Sequence, residues 1–449
     1  MASSPITPSF SLAIRQQSWR ASAHSARPYR RLSPSNPRAR CGGILGRLGH
    51  PAVQPSTRTR YDPIRSDKST LAERALWTYL DIASRRFRGT AGAPQPTKKS
   101  GSRFLGGSKV PQHAAVINYD LSSAEVTQIE ELVADLISDG SAPASPEFND
   151  NIWRHINRLP DGLRQFLQNF RRNEPAAACI VDGFPVSDVA VGPTPLHWRD
   201  AAAGDSTRRE ECYLALLTAC LGDVFGWSTL QAGRLLHNVL PVPGEESQQS
   251  GHGSDVLLEW HTEDGFHPYR CDYLGLFGVR NHDKVPTTFA CVTHVEISEA
   301  DRAVLFGKRF LILPDEEHLR QLEQTDPDSA ALRRLRTMRD EPEPVAVLFG
   351  AEDDPYLRID PYFMSCVSGD DEAEQALKRL VAELERVQQD IVVTAGATLF
   401  IDNYRAVHGR RSFVSRYDGT DRWLKKSVST RDLRRSRDMR RSVTDRVLA

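Results

Sequence analysis

The 449-residue sequence lacks any CxxC pair and any run of about eighteen apolar residues, the length a membrane-spanning helix needs. A transmembrane helix is therefore not expected. The seven cysteines (41, 179, 212, 220, 271, 291 and 366) are odd in number and scattered, which excludes a disulfide scaffold and a cysteine-type zinc site. Such usage points to a reducing, cytoplasmic compartment. Net charge is also missing, because 58 Lys and Arg balance 58 Asp and Glu. A dedicated nucleic-acid binder would be strongly basic. Neither a nucleic acid nor a membrane is expected as a partner, and nothing in the sequence sets the oligomeric state.

Acid is absent from residues 1–60, which hold ten arginines and many Ser and Pro; the first carboxylate is Asp62. That composition cannot bury a core and reads as disordered. It resembles an organelle transit peptide, with a non-native leader from an upstream start codon as the alternative. One helix is expected over 69–87, with Leu71, Ala75, Leu76, Tyr79 and Leu80 on one face, before a Gly/Pro/Lys linker. Residues 1–111 thus form a low-complexity extension, and 112–449 the globular domain.

The domain opens with helical signals: a cap at Leu121–Glu125 and a stop at Gly140, then NIWRHINRLPDGLRQFLQNFRR broken near Pro160, then REECYLALLTACLGDVFGW. Beyond residue 227 short β-type runs take over, at 256–260, 273–279, 287–294, 310–314, 345–349, 357–359, 391–393, 397–401 and 423–429. Helical inserts interrupt them around 315–339 and 370–389. Many short strands after an all-helical preface predict a mainly β fold with flanking helices, a sandwich or jelly roll.

Two His-x-Glu triplets occur, His261-Thr262-Glu263 and His294-Val295-Glu296, a number that chance alone supplies among thirteen histidines. A non-heme iron site takes two histidines and one carboxylate on one face of the metal. Context separates the two candidates. His261 and Glu263 follow the apolar run VLLEW at a strand end, where residues i and i+2 share a side. His294 instead leads into a helix that Ser298 caps, which makes it structural. The second histidine is His408, behind the strand of GATLFIDNYRAVHGRRSF. Arg422, fourteen residues on and beside Trp423 and Leu424, is placed to pair through its fork with the far carboxylate of a dicarboxylate cosubstrate.

The stretches QAGRLLHNVLPVPGEE, LLEWHTEDGFHPYRCDYLGLFGVRN, DNYRAVHGRRSF and YDGTDRWLKK resemble the clavaminate synthase-like iron(II)/2-oxoglutarate oxygenases of the TauD/TfdA superfamily, a group that includes asparagine oxygenase and arginine β-hydroxylase. The resemblance covers about residues 112–449. It implies a double-stranded β-helix, the jelly-roll variant of these enzymes. Iron(II) is implied on His261, Glu263 and His408, and 2-oxoglutarate on Arg422 with Thr288 (Thr287 the lesser choice). Dioxygen is the co-reactant. The reaction implied is hydroxylation of an unactivated C–H, at the β-carbon, of a free amino acid or amino-acid-derived small molecule in specialised metabolism. Gln231 and Asp360 stand where relatives bind substrate. Lys426 replaces an arginine and Tyr362 replaces a second aspartate, which puts arginine itself in doubt as the substrate. A zinc hydrolase would need a general base and leave Arg422 without a role; a catalytically silent jelly-roll binding module is the other rival.

Overall fold

The computed structural model describes residues 114–449; the expected helix at 69–87 and the arginine-rich leader lie outside the described residues. The strands are β1 (Ala114–Asp120), β2 (Ala176–Asp182), β3 (Asp223–Trp227), β4 (Leu236–Val239), β5 (Leu258–His261), β6 (Tyr273–Arg280), β7 (Thr287–Cys291) and β8 (Phe310–Ile312). They continue as β9 (Leu348–Gly350), β10 (Pro355–Leu357), β11 (Met364–Cys366), β12 (Gln389–Ile391), β13 (Thr398–Asp402), β14 (Ala406–Arg410), β15 (Trp423–Thr430) and β16 (Val447–Leu448).

A large sheet runs β1-β2-β13-β6-β15-β3-β16, with β4 also on β15. A small one runs β12-β7-β14-β5. Alternation along the strands divides the apolar residues into layers. Leu274 and Leu276 of β6, Leu424 and Val428 of β15 and Phe289 of β7 join the core shared by the two sheets. Tyr273, Phe277 and Trp423 face the other way, onto the helices Ser123–Ser138, Asp161–Asn173 and Arg208–Leu221. Trp260, Ala290 and Val407 of the small sheet pack outward against the inserted helices Glu299–Leu305, Glu316–Thr325, Ala330–Asp340 and Asp371–Val387. The fold is mainly β with flanking helices.

Local signals explain several boundaries. Ser122 accepts the Glu125 N–H while the Glu125 carboxylate accepts from Ser122 N, a reciprocal cap that starts the helix there. Ser298 caps Glu299–Leu305 in the same position as expected, just after His294. The preface, however, is not all helical. β1 and β2 form a parallel pair that extends the large sheet, and the helix expected to run to residue 227 stops at Leu221, leaving Asp223–Trp227 as β3. AAVINYD and AAACIVD are too short for periodicity to declare them strands; the pairing of β1 with β2 and of β2 with β13 does so. No helix among the described residues is long and apolar enough to cross a membrane.

Candidate active site

β5 and β14 are antiparallel, and their register sets His261 directly opposite His408. Both lie on the face turned toward the large sheet, since Trp260 and Val407 point outward. Two residues past His261 the chain brings in Glu263, whose Oε2 lies 3.3 Å from His408 Nε2 and 4.0 Å from His261 Nε2. One ligand atom from each of the three residues falls within 4.8 Å of the others. The tautomer of His261 follows from its partner. Nδ1 lies 2.9 Å from the Glu259 carbonyl, which can only accept, so Nδ1 carries the proton and Nε2 offers a lone pair.

The surroundings suit a cation. Burial opposes ionisation of Glu263, but Lys426, then His408, outweigh it and hold its carboxyl well below the usual range. Burial holds the His408 imidazole below its ordinary value. Asn403, fully buried on the turn between β13 and β14, grips the Glu263 peptide from both sides. Its Oδ1 accepts from Glu263 N at 2.7 Å and its Nδ2 donates to Glu263 O at 2.9 Å. The donor set of two imidazoles and one carboxylate is the facial arrangement of oxygen-activating iron, and it fits iron(II).

The three residues open onto a cavity of about 120 Å³ whose lining includes Thr287, Arg422, Lys426, His237, His252 and Asp315. Arg422 is buried, and the described residues offer its guanidinium no carboxylate: Nε is without a partner and Nη2 reaches only Thr287 Oγ1, at 3.5 Å. Burial, then the nearby Arg410, brings its pKa down to about 9. A buried fork without a counter-ion is a fitting receptor for one carboxylate of a dicarboxylate.

Thr288 does not belong to this group. It sits opposite Gly409 on the outward face of β7, whereas Thr287 is opposite Arg410 on the cavity side. A one-residue step along a strand reverses the side chain, so Thr287, and not Thr288, faces the cavity. Gln231 lines the cavity, but its amide is spent on the chain itself: Nε2 donates to Asn238 O and Oε1 accepts from Asn238 N. Lys426 Nζ donates to Glu263 Oε1 at 2.5 Å, so its charge goes to the carboxylate. Asp360 is not among the residues that line the cavity. Burial, reinforced by Asp315, raises it to about 6.

Sequence reasoning missed Asp315, Asn403, Asp264 and His318. The run PDEEHLRQLEQ carried a signal, because its polar residues Glu317, His318 and Gln321 lie on the buried face of Glu316–Thr325. Buried polar side chains on a helix mark a site more often than a core.

Residues 231–428 match the model of the taurine catabolism dioxygenase TauD, TfdA family. The chain is 40% identical over 341 residues to an enduracididine beta-hydroxylase of Streptomyces hygroscopicus, covering 74% of this chain and all of the relative. It is 42% identical over 298 residues to an L-ornithine/L-arginine 3-hydroxylase of Catenulispora acidiphila, covering 65% of this chain and 87% of that one. The crystal structure of the non-heme iron oxygenase OrfP with Fe, succinate and (3S)-hydroxy-L-Arg is 40% identical, with a TM-score of 0.70 over 74% of this chain and 99% of that one. With the geometry and these likenesses together, the chain belongs to the TauD/TfdA family and is an iron(II)- and 2-oxoglutarate-dependent oxygenase.

Proposed function

We propose that His261, Glu263 and His408 hold iron(II), that Arg422 and Thr287 take the far carboxylate of 2-oxoglutarate, and that the protein hydroxylates the β-carbon of a free amino acid with a cationic side chain. The observation that carries this reading is the buried, counter-ion-free Arg422 in the same cavity as the three ligand residues. Iron(II) with 2-oxoglutarate and dioxygen supplies the chemistry that yields succinate and carbon dioxide while one oxygen atom enters a C–H bond. The chain's own residues orient and exclude: Arg422 fixes one end of the cosubstrate, Glu263 and the histidines would hold the iron(II) that takes the other, and the inserted helix Glu316–Thr325 covers the substrate side.

A cationic substrate is favoured by Asp315 and Asp360, neither of which has an arginine or lysine partner among the described residues. Burial pushes both carboxyls up, the mark of acids without a counter-charge. Asp315, from a separate insert, supplies the second acid that Tyr362 fails to provide. The relatives named for arginine, ornithine and enduracididine agree with that charge. We read the two facing sheets as the double-stranded β-helix of the family, and the free described cysteines as suited to the cytoplasm.

The test is iron(II)-dependent release of succinate with a gain of one oxygen atom in arginine, ornithine or lysine, followed by mass spectrometry. Turnover of asparagine in preference to all three would remove the cationic assignment. Bound zinc without any turnover would favour a hydrolase or a silent binding module.

A further inference from the structure

Asp264, next to Glu263, has φ +51°, a left-handed conformation that few residues other than glycine adopt. Such a backbone persists only where its surroundings over-determine it. Its side chain shows how. Trp227 Nε1 donates to Asp264 Oδ2 at 2.7 Å, and His318 Nε2 donates to Oδ1 at 3.1 Å. Both partners of the His318–Asp264 pair are at most 5% exposed. The other ring nitrogen of His318 lies 2.6 Å from Thr229 Oγ1, which fixes the ring. The turn is closed by Gly265 N to Thr262 O and His267 N to Asp264 O.

Trp227 belongs to β3 and Asn403 to the β13–β14 turn, both in the sheet framework. His318 comes from the inserted helix, which also places Asp315, Glu317 and Gln321 in the cavity. Gln321 Oε1 additionally accepts from Gln231 N at 2.7 Å. The helix that faces the substrate is thereby tied to the turn that carries the carboxylate ligand.

We propose that His318 is a positioning residue for the iron site: through Asp264 it holds the left-handed turn that aims Glu263 at the two histidines. This rests on the assignment of iron(II) to His261, Glu263 and His408. Without His318, one Asp264 oxygen loses its donor inside the protein and the turn has less reason to keep its strained conformation. Glu263 then samples other directions and iron binds more weakly; with ascorbate supplying the two electrons that an absent substrate does not, 2-oxoglutarate and dioxygen go to succinate, carbon dioxide and water without substrate.

The experiment compares the full chain with His318→Leu, His318→Gln and Trp227→Phe. Two quantities are read: the iron(II) dissociation constant by chelator competition, and succinate release from 2-oxoglutarate with ascorbate present and no amino acid added. His318→Leu is expected to weaken iron(II) binding about tenfold to a hundredfold, the usual range for partners of metal ligands, and to raise substrate-free succinate release per bound iron. His318→Gln keeps an N–H for Asp264 and should recover most of both. Trp227→Phe removes the other donor and should fall between; it replaces the leucine variant in the comparison if that variant fails to fold. Parental iron affinity in the leucine or phenylalanine variant, or a glutamine variant as impaired as the leucine one, overturns the proposal. A parent protein that binds no iron(II) would instead remove the underlying ligand assignment.

Discussion

His408 and His261 face each other across the β5–β14 pair with ring centroids 4.6 Å apart, one tilted on the other. That cross-strand relationship, with Glu263 two residues beyond His261, brings together the three side chains proposed to hold iron(II). His294, the rival histidine, ends a single 3₁₀ turn after β7 and is no member of the cluster. Replacing His261 or His408 by alanine should abolish iron-dependent turnover, while His294→Ala should keep more than about half of it, the effect of removing a residue away from the chemistry. Loss of iron in His294→Ala with retention in His261→Ala would reverse the choice between the two triplets.

Arg422→Ala should raise the apparent requirement for 2-oxoglutarate far more than that for the amino acid. Leaving a buried charge without its partner costs roughly 3–5 kcal/mol, some hundreds-fold or more in affinity. A titration of succinate formation against 2-oxoglutarate reads this directly, and an unchanged half-saturation point would unseat Arg422.

The two threonines of β7 offer a finer test. Thr287→Val removes a hydroxyl beside Arg422, and a hydrogen bond of about 1 kcal/mol corresponds to a roughly fivefold rise in the 2-oxoglutarate requirement. Thr288→Val, on the opposite face, should leave that requirement alone. The reverse ranking would show that the register does not dictate which threonine serves the cosubstrate.

Burial lifts Asp360 to about 6, so its charge is present above that pH and lost below it. The half-saturating concentration of a cationic substrate should therefore rise as pH falls through 6. Asp360→Asn should flatten that limb and weaken binding about tenfold or more at pH 8, the range for a hydrogen bond to a charged group. For stability the sign is opposite. Between the ordinary carboxylate value near 4 and about 6, the folded state binds more protons, so folding weakens as pH rises through that window. Substrate profiles of parent and variant that superimpose from pH 5 to 8 would exclude Asp360 from binding.

A chain that begins at Gln112 should fold and consume 2-oxoglutarate like the full one. β1 starts at Ala114 and pairs with β2 from that residue onward, so the cut spares the whole strand. The enduracididine beta-hydroxylase is matched over its entire length by 74% of this chain. Aggregation or loss of the thermal transition would place part of 1–111 in the fold.

Much of this architecture was legible in one dimension because its signals are local. A capping box at Ser122–Glu125, the short apolar run YLGLFGV, and an i, i+2 pair of candidate ligands at a strand end each depend on residues a few positions apart. By the same local logic Arg422 shares the inward parity of Leu424 and Val428. What escaped was decided by pairing and by contacts between distant segments. β1 and β2 are strands because of the partners they meet. Thr287 rather than Thr288 faces the cavity because β7 has one register against β14. Gln231 and Lys426 have the right side chains at the right positions, yet Asn238 and Glu263 claim their polar atoms. One-dimensional reading supplied the chemistry available: two histidines on strands, with a carboxylate just past one strand and an arginine just before another. Which acids and helices surround them was settled in three dimensions, because hydrogen bonds and burial depend on distance in space, and folding brings Asp315, His318 and Asn403 to residues far from them along the chain.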